Sequence, residues 1–393
     1  MIESLFSMML AEVVLGGGGR VFALGPVTAR MLFFAACLVA WFGTMLTTTG
    51  RRQGQATALW LVLFFLISLL PGIAVSISQD VDTSKIVLEL QPILFWLTAP
   101  FVALVLQDQA MIRRSGNIIL YGGAAVAILT IMVSVGLQLG LLPFGTIYGW
   151  SSDSGEIFFR SRSTFFFKGH FFVALSLIFC LSIRPKWWRL IAVINVVSVA
   201  LSLTRGLYLA VVISVALSLI SSRRPVAIFF MALGGITITI FYGHLLVDIV
   251  FDPSRQMSSK VRSKDLMYFI ATFDSSRLLF GDGAGFLLNG RQNVENSFLW
   301  AIWRFGILGL SFWLTPFFIC LKYFRDIPQK DEEYRLASAF FYGVLLIYVV
   351  SLFNPAINNS IGITYLICAI FSLQRLSRNN KAIFDIVNSR VTA

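Results

Sequence analysis

The chain has 393 residues, 57% of them hydrophobic and only 13% charged, with a formal net charge of +12. Its mean hydropathy is +0.82. This composition excludes a soluble globular domain. Most of the positive charge stands in short loops between apolar runs, which makes it a topological signal, and no nucleic-acid partner is expected.

A hydrocarbon core of ~30 Å takes ~20 apolar residues to cross. By that measure the chain reads as an all-α polytopic integral membrane protein with about twelve transmembrane helices. They are predicted near 4–18, 30–48, 55–76, 86–106, 117–139, 165–183, 189–204, 206–221, 225–246, 297–320, 336–353 and 358–375. The first lacks a basic leader and a small-residue cleavage site, so it is expected to be a retained span. Gly16 to Gly19 should let the chain bend at its outer end.

Orientation follows from Lys and Arg. Arg51–Arg52, Arg113–Arg114, Arg184/Lys186/Arg189, Arg223–Arg224, Lys322/Arg325/Lys330/Arg335 and Arg375/Arg378/Lys381/Arg390 all fall on one side when the spans alternate. That side is the cytoplasm, and both termini are expected there. The organisation is then 1–246 with nine helices and a smaller periplasmic loop near 140–165, a long periplasmic loop at 247–296, three closing helices over 297–375, and a basic tail at 376–393. The tail, with Ile383, Phe384 and Ile386, reads as an amphipathic helix on the inner leaflet.

Basic residues on the opposite side run against this rule. Arg160, Arg162 and Lys168 precede the sixth span, and Arg205 stands between spans seven and eight. Arg255, Lys260, Arg262, Lys264, Arg277 and Arg291 lie in the long loop, and Arg304 is inside span ten. One explanation is an anionic ligand held by charge-assisted hydrogen bonds. The other is ion pairing with Asp248, Asp252, Asp265 and Asp274. For Arg205 and Arg304, in or against apolar helix, the ligand is favoured.

Other motifs are less specific. Within the long loop, Ser263-Lys264-Asp265 and the apolar residues after it predict a short amphipathic helix on the membrane surface. Gly281, Gly283 and Gly285 alternate and could form either a phosphate-binding nest or a flexible turn. Asp80-Val81-Asp82 could hold a divalent cation or simply solvate a loop. Trp150, Phe298, Trp300 and Trp303 could stack on sugars or line the membrane interface. His170 and His244 each read as helix-end or packed residues, and Cys37, Cys180, Cys320 and Cys368 as packing residues. No resident metal and no cofactor are expected.

The run Glu295-Asn296, then nine residues, then Gly306-Ile307-Leu308-Gly309 resembles the outer-loop signature of the O-antigen ligase and polymerase superfamily. Leu203-Thr204-Arg205-Gly206 resembles the family's short Arg-Gly hairpin, Phe280-Gly281-Asp282-Gly283 its glycine pair, and Arg160 to His170 its arginine-rich approach to a middle helix. The resemblance spans about 160–371. In the ligase branch the signature usually begins with His-Asn; polymerase-type members often carry an acidic residue there, as this chain does.

The resemblance implies a glycosyltransferase C-like membrane fold in the bacterial inner membrane. It also implies a polyprenyl-pyrophosphate-linked oligosaccharide as substrate at the periplasmic face, with the bilayer and a chain-length regulator protein as partners. Glu295 would handle the acceptor hydroxyl, and Arg205 and Arg304 would neutralise the leaving pyrophosphate without a metal. Arg160, Arg162, Lys168, His170, Asn296, Gly281, Gly283 and Arg291 would bind substrate. The expected activity is polymerisation of repeat units at the reducing end of the growing chain. Ligation of finished glycan to lipid A–core or protein, and non-enzymatic transport of a lipid-linked glycan, are the alternatives.

Overall fold

The fold is that of a computed structural model describing residues 1–24, 27–47, 55–221, 253–272, 274–287, 294–329 and 332–391. The span expected at 225–246 lies outside the described residues, with His244, Arg51–Arg52, Arg223–Arg224, Asp248, Asp252, Arg291 and Lys330. So do the side chains of Arg255, Lys381, Ile383, Phe384, Ile386 and Arg390.

The described chain is dominated by helices. They are α1 (Ile2–Leu15), α2 (Ala29–Thr47), α3 (Gln55–Ser78), α4 (Thr83–Leu90), a 3-10 turn (Ile93–Thr98) running into α5 (Ala99–Val105), α6 (Gln109–Gln138) and α7 (Phe144–Ser154). After these come α8 (His170–Ile183), α9 (Trp188–Leu201), α10 (Arg205–Ser221), α11 (Pro253–Ala271), α12 (Ser275–Phe280), α13 (Ser297–Arg325), α14 (Glu332–Val350) and α15 (Ser360–Val391). Two small antiparallel hairpins interrupt them, β1 (Ala23–Leu24) with β2 (Val27–Thr28) and β3 (Ile157–Phe159) with β4 (Phe165–Phe167).

Among the described residues, six helices are long and apolar enough to cross a membrane: α2, α3, α6, α13, α14 and the first part of α15. The chain is therefore an all-α multi-pass membrane protein. Three shorter apolar helices, α8, α9 and α10, accompany them.

Three expected elements differ in detail. The span expected at 86–106 is a bent pair, α4 and the segment Ile93–Val105 meeting at 46°. Pro92 has no N–H with which to carry the helical ladder across the bend. The sixth span is expected from residue 165, but Phe165–Phe167 pairs with Ile157–Phe159 as a strand, and the helix starts at His170. A run of three phenylalanines is as apolar in a strand as in a helix. The surface helix expected from Ser263 begins at Pro253, where the fixed φ of proline suits a first turn.

The core sits around α15. Of its apolar stretch 94% is buried, against 11% for α2, which therefore lies at the lipid-facing rim. The Tyr365 hydroxyl of α15 donates to the carbonyl of Phe340 in α14 at 2.9 Å. Gly343 makes this contact possible, because a Cβ there would collide with the Tyr365 ring and hydroxyl. Small residues at such crossings let helices approach where lipid supplies no hydrophobic drive.

The first two helices are joined to this core by charge. Glu12 of α1 and Arg30 of α2 form a buried ion pair at 3.0 Å. Arg30 also donates to Ser360 Oγ at 2.8 Å and to the carbonyl of Gly17 at 2.7 Å. The bend at Gly16 to Gly19 wraps the buried carboxylate of Glu156, which accepts from Gly18 N at 2.6 Å and Arg20 N at 3.0 Å. Glycines are needed here because Gly17 and Gly19 take positive φ, +56° and +102°.

Gly343→Ala should lower the thermal stability of the detergent-solubilised protein by about 1–3 kcal/mol, as overpacking does. Gly43→Ala, on the rim helix with no atom near its Cβ position, should be neutral or slightly stabilising. Equal effects of the two substitutions would contradict the packing described.

Candidate functional site

The start of α13 is a fixed point. Asn296 caps the helix, its side-chain oxygen accepting from Phe298 N and Leu299 N at 2.9 Å each, which satisfies two of the orphan donors of the first turn. Ser297 N donates to Ser351 O at 2.9 Å, and Ser297 Oγ donates to Asn358 Oδ1 at 3.1 Å. Asn296 Nδ2 donates to Leu352 O at 3.3 Å. The helix end is thereby bonded to the turn between α14 and α15.

That turn carries Phe353, on which α10 and α11 converge. Gly206 packs so closely that a Cβ there would lie 2.7 Å from Phe353 Cβ. Arg205, its neighbour, opens α10 after a tight turn in which Leu203 takes φ +47°. The Arg262 guanidinium, from α11, lies over the Phe353 ring at 5.9 Å, a cation–π distance. Its Nε bonds Glu295 Oε2 at 2.5 Å, with both side chains about one-third exposed at 35%. The structure therefore brings Glu295, Asn296 and the Arg205–Gly206 turn to one place and adds Arg262. Sequence reading leaves Arg262 among six similar loop residues, and Phe353 carries no signal of its own.

Arg304 stands inside α13, as expected, and has a partner within the protein. It is fully buried, and its Nε pairs with Glu89 of α4 at 2.6 Å. Glu89 also accepts from Trp300 Nε1 at 2.6 Å and from Gly285 N. Arg304 Nη1 donates to the carbonyl of Phe286. Arg304, expected as a cation for an outer ligand, has its charge compensated within the protein by Glu89, as a structural strut would. Glu89 has a readable signal, being a carboxylate inside an apolar run.

Close to this pair α13 is broken at Gly306, with φ +63° and ψ −158°. Only glycine takes that conformation readily. The carbonyls of Trp303 and Arg304 receive Asp282 N at 2.7 Å and Gly283 N at 3.2 Å instead of helical donors. Gly281 and Gly283, expected with Gly285 to form either a phosphate nest or a flexible turn, take positive φ, and the N–H of Gly283 and that of Asp282 between them are engaged by the broken helix. Asp282 pairs with Arg277 at 3.0 Å. Burial raises its pKa from the ordinary carboxylate value, while Arg277 and Arg304 pull it down.

The remaining candidates lie on and below the β3–β4 hairpin. Arg160 and Arg162 are exposed at its tip. Lys168 stands at its base with its ammonium 5.9 Å from the Phe158 ring centroid. Burial lowers its pKa, Glu156 opposes that, and Arg20 and Arg30 lower it further. His170 is buried, its Nδ1 accepting from Phe167 N at 2.8 Å and its ring stacked on Phe166, so it serves as a packed helix-start residue. Asp82 caps α4 by accepting from Ser84 N at 2.9 Å, and this bond holds its carboxyl below the usual range. Trp150 is exposed and Trp300 and Trp303 are buried. The four cysteines are free and buried. Arg291 is outside the described residues.

Breaking a buried ion pair leaves an uncompensated charge and costs about 3–5 kcal/mol, whereas an apolar replacement of both partners is often tolerated. Glu89→Ala should therefore lower the unfolding temperature in detergent sharply, and adding Arg304→Met should recover much of the loss. Additive losses would exclude the strut role.

No protein-family model matches the chain. It is 25% identical to a curated protein of Shigella flexneri named O-antigen polymerase, over 96% of this chain and 97% of the relative. This end-to-end likeness supports the superfamily that the motifs resemble, and it supports a polymerase-type activity in broad terms.

Proposed function

We propose that this chain, a multi-pass membrane protein of the O-antigen polymerase and ligase superfamily, joins polyprenyl-pyrophosphate-linked oligosaccharide repeat units into O-antigen, capsule or exopolysaccharide. The reaction takes place at the periplasmic face of the bacterial inner membrane. The observation that carries this reading is the convergence on Phe353 of Gly206, the neighbour of Arg205, and of Arg262, which bonds Glu295.

Two features support the orientation. The outer turns meet through the Ser297–Ser351 hydrogen bond and the close packing of Gly206 on Phe353. Residues of the basic side also pair among themselves, Arg113 with Glu332 at 3.6 Å and Gln374 with Thr57 at 2.8 Å. About twelve spans with both termini cytoplasmic would follow from the alternation of basic loops.

The chemistry is a displacement at the anomeric carbon of the donor. The acceptor hydroxyl oxygen forms the new bond to that carbon, and its proton passes to the Glu295 carboxylate. The bond from the anomeric carbon to the phosphate oxygen breaks, and its electrons leave with the polyprenyl pyrophosphate. Arg205 compensates the developing charge. Arg160, Arg162 and Lys168 supply positive charge along the approach of the glycan, and Asn296 keeps Glu295 in place through the helix cap. Arg304 acts indirectly, by seating the outer half of α13.

A gel of surface glycan from a deletion strain, complemented with each variant, tests this. Wild type should restore a ladder. Arg205→Ala and Glu295→Ala, at equal membrane abundance, should leave a band bearing a single repeat unit, with polymer reduced by about 100-fold or more. Decorated acceptor lost while polymer accumulates on the lipid carrier would instead indicate a ligase. A normal ladder with both variants would end the glycosyl-transfer reading.

A further inference from the structure

The geometry points to a binding site for a phosphoethanolamine group, as a lipid headgroup or a free ester, in a cavity that the polymerase reading does not use. Arg375, on its wall, stands about 22 Å along α15 from Ser360, at ~1.5 Å per helical residue. The cavity is thus at the far end of α15 from the turn that holds Asn296 and Ser297.

The start of α1, the end of α5, the start of α6 and the later part of α15 enclose about 380 Å³. That is within the ~300–1,000 Å³ of ordinary ligand pockets. Its walls carry both signs of charge. Arg375 and Arg378 of α15 supply two guanidinium groups, and residues three apart on a helix share a face. Glu3 of α1 and Asp108, the N-cap of α6, supply two carboxylates. Among the described residues, no ion pair joins the two sets. Arg375 Nε is shut off from solvent and has no hydrogen-bond partner among the described residues. Gln374 pins this stretch of α15, donating to Thr57 Oγ1 at 2.8 Å and to the Tyr323 hydroxyl at 3.0 Å.

A buried donor without an acceptor is costly. Two guanidinium groups on one wall suit an anion with several oxygens, and a phosphate is such an anion. A phosphate alone leaves half of the lining unexplained. Glu3 and Asp108 repel it, and the last turn of α5, from Ala103 to Val105, adds the partial negative charge of a helix C-terminus. These groups suit a primary ammonium. Phosphoethanolamine carries a phosphate and an ammonium on one short link, and so answers both walls at once. Arg378, Glu3 and Asp108 are exposed and mark the mouth, and the half-buried Arg375 lies further in. Basic pockets between membrane-spanning helices at the cytoplasmic side are places where lipid headgroups dock. A headgroup held there ties α1, α5, α6 and α15 together.

The test is ligand-dependent thermal stabilisation of the full-length protein in detergent, stripped of native lipid. The probes are the dioctanoyl forms of phosphatidylethanolamine, phosphatidylcholine and phosphatidylglycerol, with O-phosphoethanolamine as the free ester. Phosphatidylethanolamine should raise the unfolding temperature. Phosphatidylglycerol, which has no ammonium, and phosphatidylcholine, whose methylated ammonium donates no hydrogen bond, should need about tenfold more for the same shift. Arg375→Gln should weaken the phosphatidylethanolamine effect about tenfold. Asp108→Asn, which can still cap α6, should weaken phosphatidylethanolamine and leave phosphatidylglycerol unchanged or stronger, a reversal that a merely structural residue would not give. The unfolding temperature of each variant without ligand controls for its fold, and Arg378→Gln carries the same prediction where Arg375→Gln does not fold. A free ester as effective as the lipid would support the site and make the soluble ester its ligand; an effect of the lipid alone would assign it to the membrane. Equal stabilisation by phosphatidylglycerol and phosphatidylethanolamine, or a full effect on both arginine variants, would overturn the inference. None of these outcomes bears on the polymerase reading, which the glycan ladder tests separately.

Discussion

The ion pair between Glu89 and Arg304 is the constraint on which the outer half of the protein depends. Two charges in apolar helices must meet each other or unfold their surroundings. Here they meet where two helices are already imperfect. α13 is broken at Gly306, and α4 bends into its continuation next to Pro92. Polar groups freed at the breaks are satisfied by the same few residues. Glu89 takes the Trp300 indole and the Gly285 N–H, and Asp282 and Gly283 give their N–H groups to the carbonyls of Trp303 and Arg304 in α13. With that knot tied, the outer half of α13 has one direction, and Glu295 and Asn296 have one position.

A second knot holds the other side of the outer face. Glu12, Arg30 and Ser360 join α1, α2 and α15, and Glu156 is wrapped by the tetraglycine bend. Both knots are buried and internally compensated, and so suit support better than ligand exchange. The pair that differs is Arg262–Glu295, with both side chains about one-third exposed.

Much of this was legible in the sequence, and the misses have physical causes. Among the described residues, apolar runs of span length gave helices. They misled at Phe165–Phe167, where aromatic residues suit a strand equally well. The rule that singled out Arg304 as a costly intramembrane charge applies equally to Glu12, Arg30 and Glu89. The rule marks a charge, however, and cannot name its partner. Glu89 lies 215 residues from Arg304, and only the folded chain brings them together. Gly306 and Gly309 were readable as close-packing residues, but a positive φ at Gly306 depends on what the freed carbonyls meet. Arg262 could not be separated from its loop neighbours because its distinction is geometric: among the described residues it lies on both Glu295 and Phe353.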